Sequence, residues 1–144
     1  MHGAAYAAGC QLVASCDLAY STKDALFATP GVNIGLFCST PMVAVSRKIN
    51  KKPMMKMLLT GEPIKANFAK EIGLINDCFS KSKLNNEVLK IAKKIASKSN
   101  LTIKIGKRTF YKQLEMPLRK AYAHTSKMMT VNTVSYTHLT LPTT

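Results

Sequence analysis

Acidic side chains are scarce in this 144-residue sequence: 7 Asp and Glu stand against 21 Lys and Arg, for a formal net charge of +14. The excess is mostly lysine and is densest between Lys81 and Lys112. Such a field attracts phosphates, on a nucleic acid or on a nucleotide-bearing ligand. The plainer reading is the solvated face of a helix. No nucleic-acid-binding motif is present, and Tyr and Phe do not alternate with the lysines as a stacking platform requires. A nucleic-acid partner is therefore not expected.

Other absences narrow the class further. No apolar run approaches the ~20 residues of a membrane-spanning helix. No basic segment followed by an apolar stretch opens the sequence as a secretory signal would. The four cysteines, Cys10, Cys16, Cys38 and Cys78, form no CxxC pair and have no paired histidines. A metal site is not expected, and reduced, intracellular thiols are the simplest reading. No internal repeat or low-complexity segment is evident.

What remains is 47% hydrophobic, enough for one domain with a core. Near the start stands HGAAYAAGCQLVASCDLA, six Gly and Ala residues within positions 3–9 followed by a short apolar segment. These residues add almost no bulk, and glycine allows close approach of main chain to a ligand. The run from Cys10 reads as a short helix with Leu12, Val13 and Cys16 on one side. A turn into a helix N-terminus exposes free N–H groups toward which the helix dipole draws negative charge, a setting suited to an oxyanion. The alternative is a close-packed turn that binds nothing.

Further along, residues 17–22 and 25–30 read as short strands joined by Lys23-Asp24, and GVNIG, residues 31–35, as a loop or brief strand. Ser39 or Thr40 is placed to cap a helix with Pro41 in its first turn, ending near Asn50. A second helix starts at Pro53 and stops at Gly61, and a third piece stops at Gly73. LINDCF reads as a strand. Leu84, Val88, Ile91, Ala92 and Ile95 recur at helical spacing opposite lysines, with Ser80 or Ser82 as the cap. Helices over residues 102–114 and 117–129 follow, whose apolar positions suit either a core or a subunit interface. The last stretch, VSYTHLTLPTT, has no charge and four threonines, and resembles the translation of a sequencing-library adaptor. It is set aside as foreign, the native sequence being interrupted near Thr133.

The order of these pieces resembles the enoyl-CoA hydratase/isomerase, or crotonase, superfamily. Its pattern G-x-A-x-G-G-G-x-E-L-x-x-x-C-D is met at Gly3, Gly9, Leu12, Cys16 and Asp17. Its F-x-x-P-E-x-x-L-G is met at Phe27, Pro30 and Gly35, and its L-T-G-x-x-x-x-A at Leu59, Thr60, Gly61 and Ala66. Its A-x-x-x-G-L-V is met at Gly73 and Leu74. The resemblance implies an α/β fold, a spiral of strand-strand-helix turns truncated at its N-terminus, with a C-terminal helical region. It divides the sequence into a partial core with the thioester site (residues 1–79), a helical oligomerisation region (80–133) and the foreign tail (134–144). It implies an acyl-CoA partner, a trimer or hexamer, and mitochondrial fatty-acid metabolism, any presequence lying upstream of Met1. Coenzyme A enters only as a thioester substrate or ligand, and no other cofactor is implied.

The same resemblance assigns the small-residue turn a role. The N–H of Ala8, beside Gly9, takes the place of the donor that holds the thioester oxygen as it becomes an enolate. A donor preset there is worth about 3 kcal/mol of barrier. Ala7, Phe27, Asn33, Leu36, Phe37, Cys38 and Ser39 fall where the family lines its substrate pocket. The family's two catalytic glutamates fall at Gln11 and Gly31. Gln11 orients a water or a carbonyl but accepts no proton near neutral pH, and Gly31 has no side chain. The usual hydratase machinery is thus missing from both positions. Asn33, Cys38, Ser39 and Thr40 are polar residues near the second lost glutamate. Ser39 or Thr40 as a helix cap and Cys38 as a small buried hydrophobe are the more economical readings. Asp17 reads as structural, and His2 and His124 as incidental. Two functions stay open: enolate-stabilising chemistry, or a silent acyl-CoA-binding subunit.

Overall fold

In the computed structural model, the described residues are 1–140 for the backbone and 1–134 for the side chains. Among the described residues, thirteen elements follow one another, short in the first unit and longer helices toward the end. Strand β1 (Ala4–Tyr6) runs directly into helix α1 (Ala8–Ser15), and β2 (Tyr20–Thr22) and β3 (Leu26–Ala28) follow across the Lys23-Asp24 turn. Strand β1 pairs parallel with β3, Ala5 opposite Phe27. A parallel neighbour needs a crossover, and α1 with β2 supplies it. On its other side β3 pairs antiparallel with β4 (Ile64–Lys65), while β2 pairs parallel with β5 (Asp77–Phe79) in a second sheet.

Residues 31–35 are not extended. Pro30–Ile34 forms a 3₁₀ turn closed by Gly35 in the left-handed region (φ 73°). The fixed φ of Pro30 starts it and the glycine ends it. Helix α2 (Ser39–Val45) takes Cys38 as its cap, not Ser39 or Thr40, and no side chain bonds to its first turn. The Ser39 hydroxyl instead donates back to the Phe37 carbonyl at 3.3 Å. Pro41 lies one turn in, where its missing N–H is harmless. The helix ends at Val45 rather than near Asn50, with turns carrying the chain to α3 (Lys51–Thr60). The start of α3 precedes Pro53, which again sits in the first turn.

Both glycine stops hold: Gly61 (φ 64°) caps α3, and Gly73 (φ 82°) lies just past α4 (Ala66–Glu71). Phe27, Val45, Met57, Ala66 and Ala69 are sealed in the core between these helices and the first sheet. Ser80 directly precedes α5 (Lys81–Ala96), its carbonyl accepting from Leu84 N–H at 3.0 Å, while Ser82 lies within the helix; their hydroxyls sit 3.3 Å apart.

The chain divides into two compact units, Met1–Lys90 and Ile91–Thr144. In the second, α6 (Asn100–Gln113) packs on α7 (Leu118–Thr140). Ser99 caps α6, its hydroxyl accepting from Thr102 N–H at 3.3 Å. The stretch read as foreign, residues 134–144, is helical backbone through Thr140, and residues 141–144 lie outside the described residues. Among the described residues no helix is long and apolar enough to cross a membrane.

Candidate functional site

The corner between β1 and α1 is built on one strained residue. Ala7 has φ 46° and ψ −112°, the one non-glycine residue with positive φ among the described residues. An alanine in such a region costs about 1–3 kcal/mol, which surrounding structure must offset. It is held from both sides: its N–H donates to the Ala28 carbonyl at 2.9 Å, and its carbonyl accepts from Gln11 N–H at 3.0 Å. The strand is thereby turned into the helix within a single residue. The cap being alanine, no side chain bonds to the first-turn N–H groups, and no acidic residue stands in that turn. Ala8 is exposed and Gly9 half-buried. A carbon added at Gly9 would meet nothing nearer than Ala5 Cβ at 3.9 Å. The corner is therefore an uncapped helix start with exposed residue Ala8, at the positive end of the helix dipole.

Gln11 follows in the same first turns, half-buried, its carbonyl accepting from the Ser15 hydroxyl at 2.8 Å. Its side chain is a neutral amide. Gly31, which the resemblance assigns to the second family glutamate, lies in a closed turn. The Leu36 N–H donates to the Gly31 carbonyl at 2.9 Å, and the Gly31 N–H points at Cys38 Sγ, 3.3 Å away. A Cβ on Gly31 would stand 2.7 Å from the Leu36 carbonyl oxygen and 3.0 Å from Cys38 Sγ. The turn has closed over the space a side chain needs.

Cys38 and Cys10 are both buried and near enough to interact electrostatically. Burial pushes the Cys10 thiol up to about 11, and Cys38 adds to the push. Cys10 is accordingly a neutral thiol at physiological pH and no nucleophile. Helix α1 packs on α2, whose cap Cys38 accepts from the Gly31 N–H, so α1 and the 31–38 turn belong to one region of the first unit.

The remaining sequence-assigned residues separate into two groups. Leu36 and Phe37 are exposed apolar side chains, with Ser39 exposed beside them. They can offer surface to an acyl chain. Phe27 and Asn33 differ from them: Asn33 is exposed but polar, and Phe27 is enclosed. Phe27 is fully buried, because β3 is the central strand of its sheet. Asn33 lies against Gly61, its Oδ1 2.8 Å from where a Gly61 Cβ would be. What sequence reading misses is conformational: the positive φ of Ala7 and the closed Gly31–Cys38 turn. Proline followed directly by glycine at residues 30–31 is the one hint of the latter. Among the described residues, no three His, Cys, Asp or Glu side chains gather as metal ligands would.

The profile of the enoyl-CoA hydratase/isomerase family matches residues 1–140. The chain belongs to this family. The mitochondrial enoyl-CoA hydratase domain-containing protein 3 of Mus musculus is 52% identical over 132 residues, covering 92% of this chain and 44% of the mouse protein. The crystal structure of human enoyl coenzyme A hydratase domain-containing protein 3 superposes with a TM-score of 0.88 at 52% identity, covering 90% of this chain and 51% of that one. An enoyl-CoA hydratase from Mycobacterium smegmatis gives 0.90 at 46% identity, covering 92% and 51%. The fold is thus the crotonase fold, and the chain spans about half the length of the family members it matches.

Proposed function

We propose that this family member binds acyl-CoA thioesters and stabilises their enolate form at the Ala8 N–H, without the glutamate pair that drives enoyl-CoA hydration. The observation that carries the reading is the Ala7 corner. It turns strand into helix at a strained residue, and Ala8, the first residue of α1, is exposed with no side-chain cap on the first-turn N–H groups. Negative charge on a thioester oxygen would meet that donor already in place, so no reorganisation opposes its formation. Leu36 and Phe37 would shield the acyl chain. The names of the mouse, rat and human relatives place those proteins in mitochondria, and we assign this one the same location and a role in acyl-CoA metabolism. Assembly into a trimer or hexamer through the helical region belongs to the same reading.

A second reading is favoured by the Gly31–Leu36 closure. A site that has lost both carboxylates, one of them to a turn that excludes any side chain, suits a subunit that senses acyl-CoA and does not transform it.

Titration of a bound 3-oxoacyl thioester, acetoacetyl-CoA, in the intact protein separates the two. Its enolate is seen directly by near-ultraviolet absorption and needs no protein base to form. Enolate stabilisation lowers the apparent pKa of the bound ligand, by about two units for one donor worth 3 kcal/mol. In Ala8→Val the side chain crowds the thioester and most of the shift disappears. Binding with an unshifted pKa supports the silent subunit, and no binding overturns both readings.

A further inference from the structure

The segments that build the Ala7 corner and the 31–38 turn carry no charged side chain. Of the chain's 21 basic and 7 acidic residues, only Asp17, Lys23 and Asp24 fall within residues 1–46. Residues 1–16, with β1 and α1, contain no Asp, Glu, Lys or Arg, and neither do residues 25–46, with β3, the 31–38 turn and α2. Lys23 and Asp24 lie at the turn between β2 and β3, where the Lys23 N–H donates to the Phe79 carbonyl of the second sheet at 2.9 Å. The other cations near in sequence or packing are engaged or exposed. Arg47 donates from Nη1 to the Val43 carbonyl at 2.7 Å, back along α2. Helix α3 packs on the Pro30–Ile34 turn, where Gly61 meets Asn33, and its Lys51, Lys52 and Lys56 are exposed. Lys65 stands opposite Leu26, at the far end of β3 from the Ala28 carbonyl that holds the corner. What the 31–38 turn does expose is apolar: Leu36 is 64% and Phe37 44% exposed.

We propose that this site selects thioesters by the charge of the acyl group: it takes an uncharged, apolar chain and refuses one that ends in a carboxylate, with Leu36 and Phe37 setting the preference. The inference rests on the thioester reading above. With the thioester oxygen at the Ala8 N–H, the acyl chain lies along Leu36 and Phe37, and each methylene withdrawn from water there favours binding. A terminal carboxylate laid on the same surface gives up its hydration and meets no Lys or Arg from residues 25–46. Kept in water instead, it holds the chain off the apolar side chains. Binding is weaker in either case. The overall charge works the other way, since a net +14 draws anions toward the protein as a whole. A preference for the neutral chain is therefore something the net charge cannot produce.

The test is calorimetric titration of the intact protein with acetyl-CoA, hexanoyl-CoA and adipyl-CoA at physiological ionic strength. The last two have equal chain length and differ in a terminal methyl or carboxylate. Hexanoyl-CoA is expected to bind about tenfold or more tightly than acetyl-CoA, from its added methylenes, and about tenfold or more tightly than adipyl-CoA. Leu36→Lys supplies the missing cation on an exposed side chain, so the hexanoyl-to-adipyl ratio falls about tenfold. Leu89→Lys adds the same charge on the exposed face of α5 and leaves the ratio unchanged. Equal affinity for hexanoyl-CoA and adipyl-CoA, with the acetoacetyl-CoA shift intact, would overturn the selection and leave the thioester reading standing. So would an equal change of ratio in the two lysine variants, which would assign the preference to overall charge. Absence of binding by all three thioesters, in a protein whose circular dichroism is intact, would overturn both.

Discussion

Gly31 and Leu36 face each other across a turn in which the Leu36 N–H donates to the Gly31 carbonyl at 2.9 Å and the Leu36 carbonyl occupies the place of a Gly31 side chain, 2.7 Å from an added Cβ. At the position that the sequence resemblance assigns to the second glutamate, no side chain fits without a shift of the backbone. Gly31→Ala forces the turn to shift, at about 1–3 kcal/mol of stability. Chemical denaturation reads this directly. The double variant Gln11→Glu with Gly31→Glu, the obvious attempt to rebuild a hydratase, returns one carboxylate to a half-buried helix position and sends the other against the Leu36 carbonyl. It is expected to be destabilised and to gain no hydration of crotonyl-CoA. Gain of hydration would show that the 31–38 turn opens freely.

The strain at Ala7 predicts an unusual gain from glycine. Glycine accepts φ 46° at no steric cost, so Ala7→Gly stabilises the protein by about 1 kcal/mol despite the added freedom of the unfolded chain. Ala7→Val places a β-branched side chain in the same conformation and loses about 1–3 kcal/mol. Thermal melts of the three proteins give the order Gly, Ala, Val.

Asn33 and Gly61 are coupled. A methyl at Gly61 meets the Asn33 side chain at 2.8–3.1 Å and must adopt φ 64°. Gly61→Ala is expected to lose about 1–2 kcal/mol. In the Asn33→Ala background the contact part of that loss vanishes and the conformational part stays. A double-mutant cycle therefore gives a coupling of at least 0.5 kcal/mol, whereas additive losses would contradict the contact.

The Cys10 thiol has a folded-state pKa of about 11, above its ordinary value near 9. Below pH 9 both folded and unfolded chains carry the proton, and the full stability is present. Between these values the unfolded chain loses the proton while the folded chain keeps it, so stability falls as pH rises, by on the order of 2–3 kcal/mol in total. Cys10→Ala removes this alkaline component from the stability profile. An unchanged slope between pH 9 and 11 in that variant would assign the alkaline loss to other groups.

The glycine stops at Gly61 and Gly73, the lysine-faced helix α5 and the turn into the first helix were legible in the sequence because each rests on local chemistry: a left-handed cap, a 3.6-residue period, a run of small residues; strand β1 before that turn was not. The helix boundaries near Ser39 and Pro53 were not, since proline suits any position in a first turn. The site divides in the same way. Ala8 and Gly9 are legible as a bare helix start, and the missing carboxylates at Gln11 and Gly31 as substitutions in a pattern. The burial of Phe27, the seating of Asn33 on Gly61 and the closure over Gly31 depend on residues brought from other elements, which no local pattern encodes. His124, isolated in sequence, lines one cleft with Arg108 and Lys112 only through the packing of α7 on α6.

The central claim, that the thioester corner is retained while glutamate-driven water chemistry is gone, is tested most directly by the rate at which the intact protein hydrates crotonyl-CoA. General acid–base groups contribute about 10²–10⁴-fold each, so a site with Gln11 and Gly31 is predicted to hydrate at least 10²–10⁴-fold more slowly than glutamate-bearing family members, while still binding the thioester. Hydration at their rate would contradict the account and place the proton-transfer groups elsewhere in the protein.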